Sequence, residues 1–134
     1  MRKNQTPMKI SRLFRSLSQP ARIEILLAIG SGEACVCHLE AMLQMRQAYI
    51  SQHLMALREA GILETRREGR FVFYRLKSTQ IMEFVLLAAQ IAGIPHESIV
   101  FAPGERPHAG CFCPQCAPLP DPDLIELQFS EANG

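Results

Sequence analysis

The stretch that decides the fold runs from residue 47 to residue 76 and reads QAYISQHLMALREAGILETRREGRFVFYRL. Its first half carries apolar residues at the three- and four-residue spacing of an amphipathic helix, and Gly61 is typical of the left-handed residue that ends one. We therefore predict a helix over residues 47–60. Its inward face is made of Ile50, Leu54 and Leu57.

The second half of this stretch predicts a β-hairpin. Residues 62–67 and 70–76 are rich in β-branched and aromatic side chains, and Glu68 and Gly69 between them favour a tight turn. A basic hairpin would thus follow the long helix directly.

Further helices are predicted around this stretch from the spacing of apolar residues and, for one helix, from a proline at the favoured first position. They cover residues 8–17, the segment from Pro20 to the Ser31-Gly32 pair, residues 37–43 and residues 79–92. The helix at 37–43, a brief turn at 44–46 and the helix at 47–60 make a helix-turn-helix. The expected fold class is mostly α with a β-hairpin wing, a winged helix-turn-helix.

Composition changes near residue 94, where a proline-rich tail begins. Seven of the nine prolines lie between Pro95 and Pro122, which disfavours a long helix there. We expect a flexible N-terminus at residues 1–7, the winged helix-turn-helix domain for DNA binding and dimerisation at residues 8–93, and a Pro- and Cys-rich tail at residues 94–134.

The composition favours a small cytoplasmic protein without a membrane partner. The 134 residues are 48% hydrophobic and 20% charged, and no signal-peptide core follows the N-terminus. No apolar run reaches the roughly 20 residues of a membrane span. In a reducing compartment the five cysteines indicate metal ligands or redox thiols rather than disulfides.

Charge is segregated along the chain. Residues 1–77 carry 13 of the 14 Lys and Arg with six acidic residues, whereas residues 78–134 carry Arg106 with seven acidic residues. A basic front half suits a polyanion such as double-stranded DNA. Random scatter of surface charge is the plainer alternative.

Side chains suited to reading DNA lie on the outward face of the 47–60 helix. Gln, Ser and His bond base edges and phosphates, and the first half of a recognition helix enters the major groove. The expected contacts there are Gln47, Tyr49, Ser51, Gln52 and His53. At the hairpin, Arg66, Arg67 and Arg70 are spaced to meet phosphates or the minor groove, with protection of a strand edge as the alternative.

The helix at 79–92 is apolar around most of its circumference, so it needs another surface to cover it. A homodimer interface is the favoured interpretation, and burial inside the monomer is the alternative.

Two thiols, Cys35 and Cys37, lie where the first helix of the helix-turn-helix begins. The positive end of a helix favours thiolates, which are soft ligands for arsenite, Cd(II), Pb(II) or Zn(II). Residues two apart on an intact helix project about 200° apart, so one ion cannot hold both. Joint binding therefore requires that the helix starts after Cys35 or that its first turn unwinds.

Four segments of the chain together form a family pattern. They are LSQPARIEIL from Leu17, GEACVCHL from Gly32, ISQHLMALREAGILE from Ile50 and RREGRFVFYRL from Arg66. Their order and spacing resemble the ArsR/SmtB family of metal-sensing repressors over roughly residues 10–92.

The resemblance implies a homodimer joined through its first and last helices that represses a resistance or efflux operon until an inducer binds. Such a dimer reads an inverted repeat with half-sites about one helical turn apart. This chain departs from the family pattern at Gln44, where the turn commonly carries Gly, and at Arg46, where the recognition helix commonly opens with Ser.

Arsenic-sensing relatives often carry a third cysteine where this chain has Glu40, so the local site is one thiolate short. The CxCxxC cluster of the tail, Cys111, Cys113 and Cys116, is the expected source of the missing ligands. Three sulfurs would suit arsenite, and four would suit Cd(II), Pb(II) or Zn(II). The alternatives are a structural zinc clip or a dithiol redox switch in the tail, and Cys35 and Cys37 as ordinary buried residues.

The leading functional hypothesis is a repressor that leaves its operator when thiols capture a soft metal or metalloid. A thiol redox or persulfide sensor of the same fold is the second hypothesis, and a small thiol reductase is a remote third. We expect no enzyme, because the sequence carries no phosphate loop, serine elbow or paired catalytic carboxylates.

Overall fold

A computed structural model describes residues 5–99, in which five α-helices surround a three-stranded antiparallel sheet. The elements in chain order are α1 Gln5–Leu17, α2 Pro20–Ile29, β1 Glu33–Cys35, α3 Val36–Leu43, α4 Gln47–Glu59, β2 Leu63–Glu68, β3 Phe71–Leu76 and α5 Gln80–Ile91, followed by a 3-10 turn at His96–Ser98. The fold class expected from the sequence, mostly α with a β-hairpin wing, is confirmed.

Residues at the helix ends explain where α2 starts and stops, and α1 starts earlier than predicted. Pro20 opens α2, where its fixed φ is already helical and its missing N–H costs no hydrogen bond. Gly30 closes α2 at a positive φ and donates its N–H to the carbonyl of Leu26. α1 begins at Gln5, earlier than residue 8 and inside the segment 1–7 that was expected to be flexible.

The sheet differs from the predicted hairpin in two respects. Its strand order is β1-β3-β2, because a short strand, β1, pairs with β3 of the hairpin. This strand is not predicted from the sequence. The hairpin turn lies at Gly69 and Arg70, one residue later than expected, because Glu68 still pairs with Phe71 in the ladder. Gly69 has φ +60°, a conformation that favours glycine.

The core lies between the inner faces of the helices and one end of the sheet. Each buried Leu or Ile side chain contributes about 2 kcal/mol when it leaves water, so this cluster fixes how α3 and α4 cross. Its fully buried Leu and Ile members are Ile25, Leu26, Ile29, Leu39, Ile50, Leu54 and Leu57.

None of the helices between residues 5 and 99 combines the length and apolar character that crossing a bilayer requires.

Candidate nucleic-acid interface and thiol pair

α3, the turn after it and α4 have the helix-turn-helix geometry that the sequence predicts. Gln44 caps α3 in the left-handed region at φ 55° and ψ 37°, and its N–H bonds the carbonyl of Glu40 at 2.9 Å. Arg46 then begins α4 with an extended backbone and no side-chain cap. The turn therefore keeps its helix-turn-helix geometry although Gln44 and Arg46 depart from the family pattern.

The first half of α4 presents polar side chains to solvent. Gln47, Tyr49 and Gln52 are exposed, and Ser51 is half-buried beside them. Amide and hydroxyl groups on one exposed helix face match the donor and acceptor pattern of base edges. Four of the five residues expected on the outward face of this helix are thus accessible.

His53 is the exception, and its expected outward position is wrong. It is 4% exposed, because it follows Ile50 by three residues and so belongs to the inner face of α4. Its Nδ1 accepts a hydrogen bond from Nε of Arg22 at 3.1 Å, and its ring meets the edge of Tyr49 with centroids 4.5 Å apart. His53 therefore holds α4 against α2 instead of facing DNA.

Burial and a neighbouring cation favour the neutral form of the His53 imidazole. Desolvation lowers the pKa of His53, and the charge of Arg22 lowers this pKa further. Nε2 of the same ring is buried and has no hydrogen-bond partner within residues 5–99. Arg22 also donates from Nη1 to the carbonyl of Ser16 at 3.1 Å, so one guanidinium joins α1, α2 and α4.

The three arginines of the hairpin differ in their surroundings. Arg66 forms ion pairs with Glu33 of β1 and Glu68 of β2, and its guanidinium lies 4.7 Å from the ring centroid of Phe73. These hydrogen bonds raise the pKa of Arg66 above its already high value. Arg67 and Arg70 are exposed and make no ion pair with any residue of the described segment. They are the more accessible cations of the wing.

Cys35 and Cys37 are in contact where β1 passes into α3. Their Sγ atoms lie 3.0 Å apart. Cys35 is the N-cap of α3, and its Sγ accepts the backbone N–H of His38 at 3.4 Å. The helix thus starts after Cys35, which is the first of the two arrangements that allow both sulfurs to face one ion.

The thiol pair packs against the strand that carries the wing. Cys35 is 2% exposed and faces Phe73 across the β1–β3 ladder, while the half-buried Cys37 and Phe71 pack against this pair. His38 is fully buried, and its backbone N–H takes part in the cap of α3. A change in what the sulfurs bind would therefore disturb the packing of both α3 and β3.

Within residues 5–99 no three His, Cys, Asp or Glu side chains are grouped to hold a metal ion. The two sulfurs can supply part of a thiolate site, although two ligands of one tetrahedral ion at about 2.3 Å sit about 3.8 Å apart, so sharing an ion would separate them from their 3.0 Å contact. The other expected ligands, Cys111, Cys113 and Cys116, lie outside the described residues.

Large apolar side chains are exposed on α1 and α5. On α5, Leu87 is 55% and Ile91 is 80% exposed, which argues against complete burial of this helix inside one chain. Phe14 of α1 contacts Phe84 of α5 and is itself 55% exposed. The exposed large apolar residues of α1 are Met8, Ile10, Leu13 and Phe14.

Comparison with known proteins agrees with this architecture. Residues 19–65 match the family described as "Bacterial regulatory protein, arsR family". The chain is 38% identical over 99 residues to the "Biofilm growth-associated repressor" of Agrobacterium fabrum, a match that covers 74% of this chain and 83% of that protein. The chain belongs to the ArsR family. It is a transcriptional regulator of this family rather than an enzyme.

Other members of the ArsR family are similar over shorter stretches. The "Cadmium resistance transcriptional regulatory protein CadC homolog" of Staphylococcus aureus is 33% identical, with 60% of this chain and 68% of that protein covered. The "Arsenic resistance transcriptional regulator ArsR1" of Pseudomonas putida is 48% identical over 48% of this chain and 51% of that protein. Among solved structures, HlyU from Vibrio cholerae aligns with a TM-score of 0.58 at 33% identity, covering 68% of this chain and 97% of that one.

Sequence reasoning missed two residues that shape the site of this ArsR-family regulator. Arg22 was counted only as a charge, although it anchors His53, and Glu33 was not singled out, although it holds Arg66. The spacing of His53 from Ile50 could have placed it on the inner face. No local signal marks Arg22 or Glu33, because their partners lie 31 and 33 residues further along the chain.

Proposed function

We propose that this protein is a homodimeric repressor that binds operator DNA and releases it when cysteine thiolates bind a soft metal or metalloid. The observation that carries the proposal is the thiol pair: Cys35 and Cys37 hold their sulfurs 3.0 Å apart at the start of the helix that positions α4. The relatives named for arsenic and cadmium resistance support an inducer of this class, namely arsenite, Cd(II) or Pb(II), with Zn(II) as a further possibility.

DNA contact would come from α4 and the tip of the wing. Gln47, Tyr49, Ser51 and Gln52 are the candidates for base contacts in the major groove, and the exposed Arg67 and Arg70 are candidates for phosphate contacts. Arg66 would support the wing through Glu33 rather than bind DNA itself.

The dimer would form through α1 and α5. Their exposed apolar side chains, and a groove of about 390 Å³ lined mainly by apolar residues of α1, α2 and α5, give a second copy a surface to cover. A two-fold dimer places two α4 helices on one face of a duplex, so the operator would be an inverted repeat with half-sites about 34–36 Å apart.

The thiols would couple to DNA binding through what they already contact. Cys35 caps α3, and Leu39 of α3 packs in the same core as Ile50 of α4. A bound soft ion supplies strong bonds to thiolates. A ligated Cys35 sulfur would share its lone pairs between the ion and the His38 N–H, which changes the cap of α3.

Burial gives the second part of this coupling. Because Cys35 is 2% exposed against Phe73, further sulfur ligands can approach it only if the contact between β1 and β3 opens. Opening that contact moves the wing relative to α3. The ligated state and the DNA-binding state would then exclude each other, as linkage requires.

The remaining ligands would come from Cys111, Cys113 and Cys116. The 12 residues from Ile99 to Cys111 span at most about 40 Å, which exceeds the roughly 30 Å diameter of a small domain and is therefore compatible with a site in the same subunit or across a dimer. With one tail sulfur the site would have the three thiolates that suit arsenite, and with two it would have the four that suit Cd(II), Pb(II) or Zn(II).

Operator binding by the full chain, followed by fluorescence anisotropy under reducing conditions, tests the proposal. Stoichiometric arsenite, Cd(II) or Pb(II) should release the DNA. Cys35→Ser and Cys37→Ser should keep the affinity of the metal-free protein and lose the release. Normal release in these variants would remove the pair from the mechanism, and release by oxidants or polysulfides alone would favour the redox sensor.

The part played by the tail is tested separately. Substituting Cys111, Cys113 and Cys116 by Ser should weaken the response to the metal or change which ion is preferred, while operator affinity stays the same. An unchanged metal response would show that the CxCxxC cluster is not involved.

A further inference from the structure

α1 carries a row of basic side chains in addition to its exposed apolar residues. Lys9, Arg12 and Arg15 follow one another at three-residue spacing, so their side chains form a basic stripe along the helix. Among the exposed apolar residues of α1, Ile10 and Phe14 lie at other positions around the helix, whereas Leu13 lines the same cleft as the stripe and Met8 lies beside Arg12 and Arg15.

The basic stripe forms one wall of an open cleft of about 670 Å³. The other walls are the turn between α1 and α2, the start of α2, and the last turns of α4. Arg22 is the fourth cation of this lining, and Glu59 is its single acidic residue.

Arg22 gives the cleft a fixed cation. Its guanidinium donates to His53 of α4 and to the carbonyl of Ser16 at the end of α1, so its position is set from two elements. The three cations of the stripe are on an exposed helix face and are free to turn towards a ligand.

The four cations have no carboxylate partner within residues 5–99, in contrast to Arg66 and Arg75, which are both ion-paired. Single solvated charges on a helix need no ligand. Four cations that line one concave surface raise the local potential and attract anions more strongly than the same charges spread apart.

We propose that this cleft binds the phosphate backbone of the operator DNA, beside the bases that α4 reads. The proposal rests on the DNA binding proposed above and adds a contact surface to it. From Lys9 to Arg15 the stripe spans about 9 Å of helix. That length matches two or three phosphates, which rise about 3.4 Å apart along one strand. A polyanion therefore fits the row better than a single small anion does.

α4 connects the two contact surfaces. Its first half carries the base-reading candidates, and its last turns, at Ala56 and Glu59, line the cleft. Gln52 and Glu59 are separated by about 10 Å along the helix, so one duplex can reach both.

The salt dependence of operator binding tests this inference in the full chain. Lys9→Gln, Arg12→Gln and Arg15→Gln are made singly and together, and log Kd is measured against log salt concentration. Each phosphate contact contributes about 0.9 to the slope, so in a dimer each single variant should lower the slope by about 1.8. The ratio of operator affinity to affinity for unrelated DNA should change little. Lys77→Gln, which removes an exposed cation outside the cleft, is the matched control and should leave the slope unchanged.

Three outcomes decide the matter. A lower slope in the stripe variants, with Lys77→Gln unchanged, supports the cleft as a phosphate site. An unchanged slope overturns it, even when the parent protein binds its operator and responds to metal. Tighter operator binding by the variants also overturns it, because the cleft would then hold an acidic segment of the chain that competes with DNA. Sedimentation of each variant checks that it is still a dimer. If the triple variant is not dimeric, the slopes of the single variants decide the test.

Discussion

The contact between Arg22 and His53 is the main polar interaction on the inner face of α4. Nδ1 of His53 accepts a hydrogen bond, so this nitrogen carries no proton, and a protonated ring would face the Arg22 cation at 3.1 Å. Stability of the domain therefore depends on a neutral His53.

This dependence predicts a loss of stability in mild acid. The pKa of His53 is lowered on folding, so below its ordinary pKa of about 6.5 the unfolded chain binds a proton that the folded chain excludes. The contribution of His53 to the free energy of unfolding should be constant above about pH 6.5 and should fall as the pH drops below that value. Urea unfolding between pH 8 and pH 5 measures the effect, with pH values chosen around about 6.5.

Two variants isolate the contribution of His53. His53→Asn keeps an acceptor near Nδ1 and cannot be protonated, so its unfolding free energy should fall less in acid than that of the parent protein. His96→Asn removes an exposed histidine and should leave the acid dependence as it is. Equal acid sensitivity in the parent and in His53→Asn would contradict the assignment.

Gln44 is the one described residue other than glycine with a positive φ. A side chain in the left-handed region costs about 1 kcal/mol relative to glycine, and Gln44 is exposed, so Gly would lose no packing there. Gln44→Gly should raise the free energy of unfolding by up to about 1 kcal/mol, and the β-branched Gln44→Val should lower it. Denaturant midpoints measure both changes, and destabilisation by Gly would show that Gln44 makes a contact worth more than the strain.

At the scale of elements, β1 connects the thiols to the wing. Three residues are too few to show a two-residue alternation, so no sequence pattern marks this strand. The five helices were predictable because each repeats apolar residues over several turns or opens at a proline. The position of Cys35 at a helix start followed from the same patterns, whereas its burial against Phe73 depends on a pairing made 38 residues later, which spacing does not reveal.

The two kinds of wing arginine should respond differently to substitution. Arg67→Gln and Arg70→Gln should each lower the slope of log Kd against log salt by about 1.8 per dimer, because each removes two phosphate contacts. Arg66→Gln should leave this slope nearly unchanged and should instead lower the thermal midpoint, since it loses Glu33, Glu68 and the face of Phe73. A slope change at Arg66 equal to that at Arg67 would make Arg66 a DNA contact.

At the scale of the whole molecule, the exposed apolar faces of α1 and α5 set the oligomeric state. Ile91 is 80% exposed in a single chain, so replacing it by Glu costs the monomer little but places a charge in the proposed interface. Ile91→Glu should shift the protein to monomers in sedimentation equilibrium and should weaken operator binding. Gln90→Glu, a polar neighbour on the same helix, adds the same charge and should remain dimeric. A dimer that survives Ile91→Glu would place the interface elsewhere.

In the proposed switch, ligation of Cys35 and Cys37 and tight operator binding exclude each other. The most direct test is Cd(II) titration of the full chain under reducing conditions, followed by thiolate-to-metal absorption, with and without saturating operator. Because linkage is reciprocal, operator DNA should weaken Cd(II) binding by the same factor by which Cd(II) weakens operator binding, and Cys35→Ser should abolish both effects. Equal Cd(II) affinity with and without operator, in a protein whose absorption shows both thiolates bound, would contradict the proposed switch.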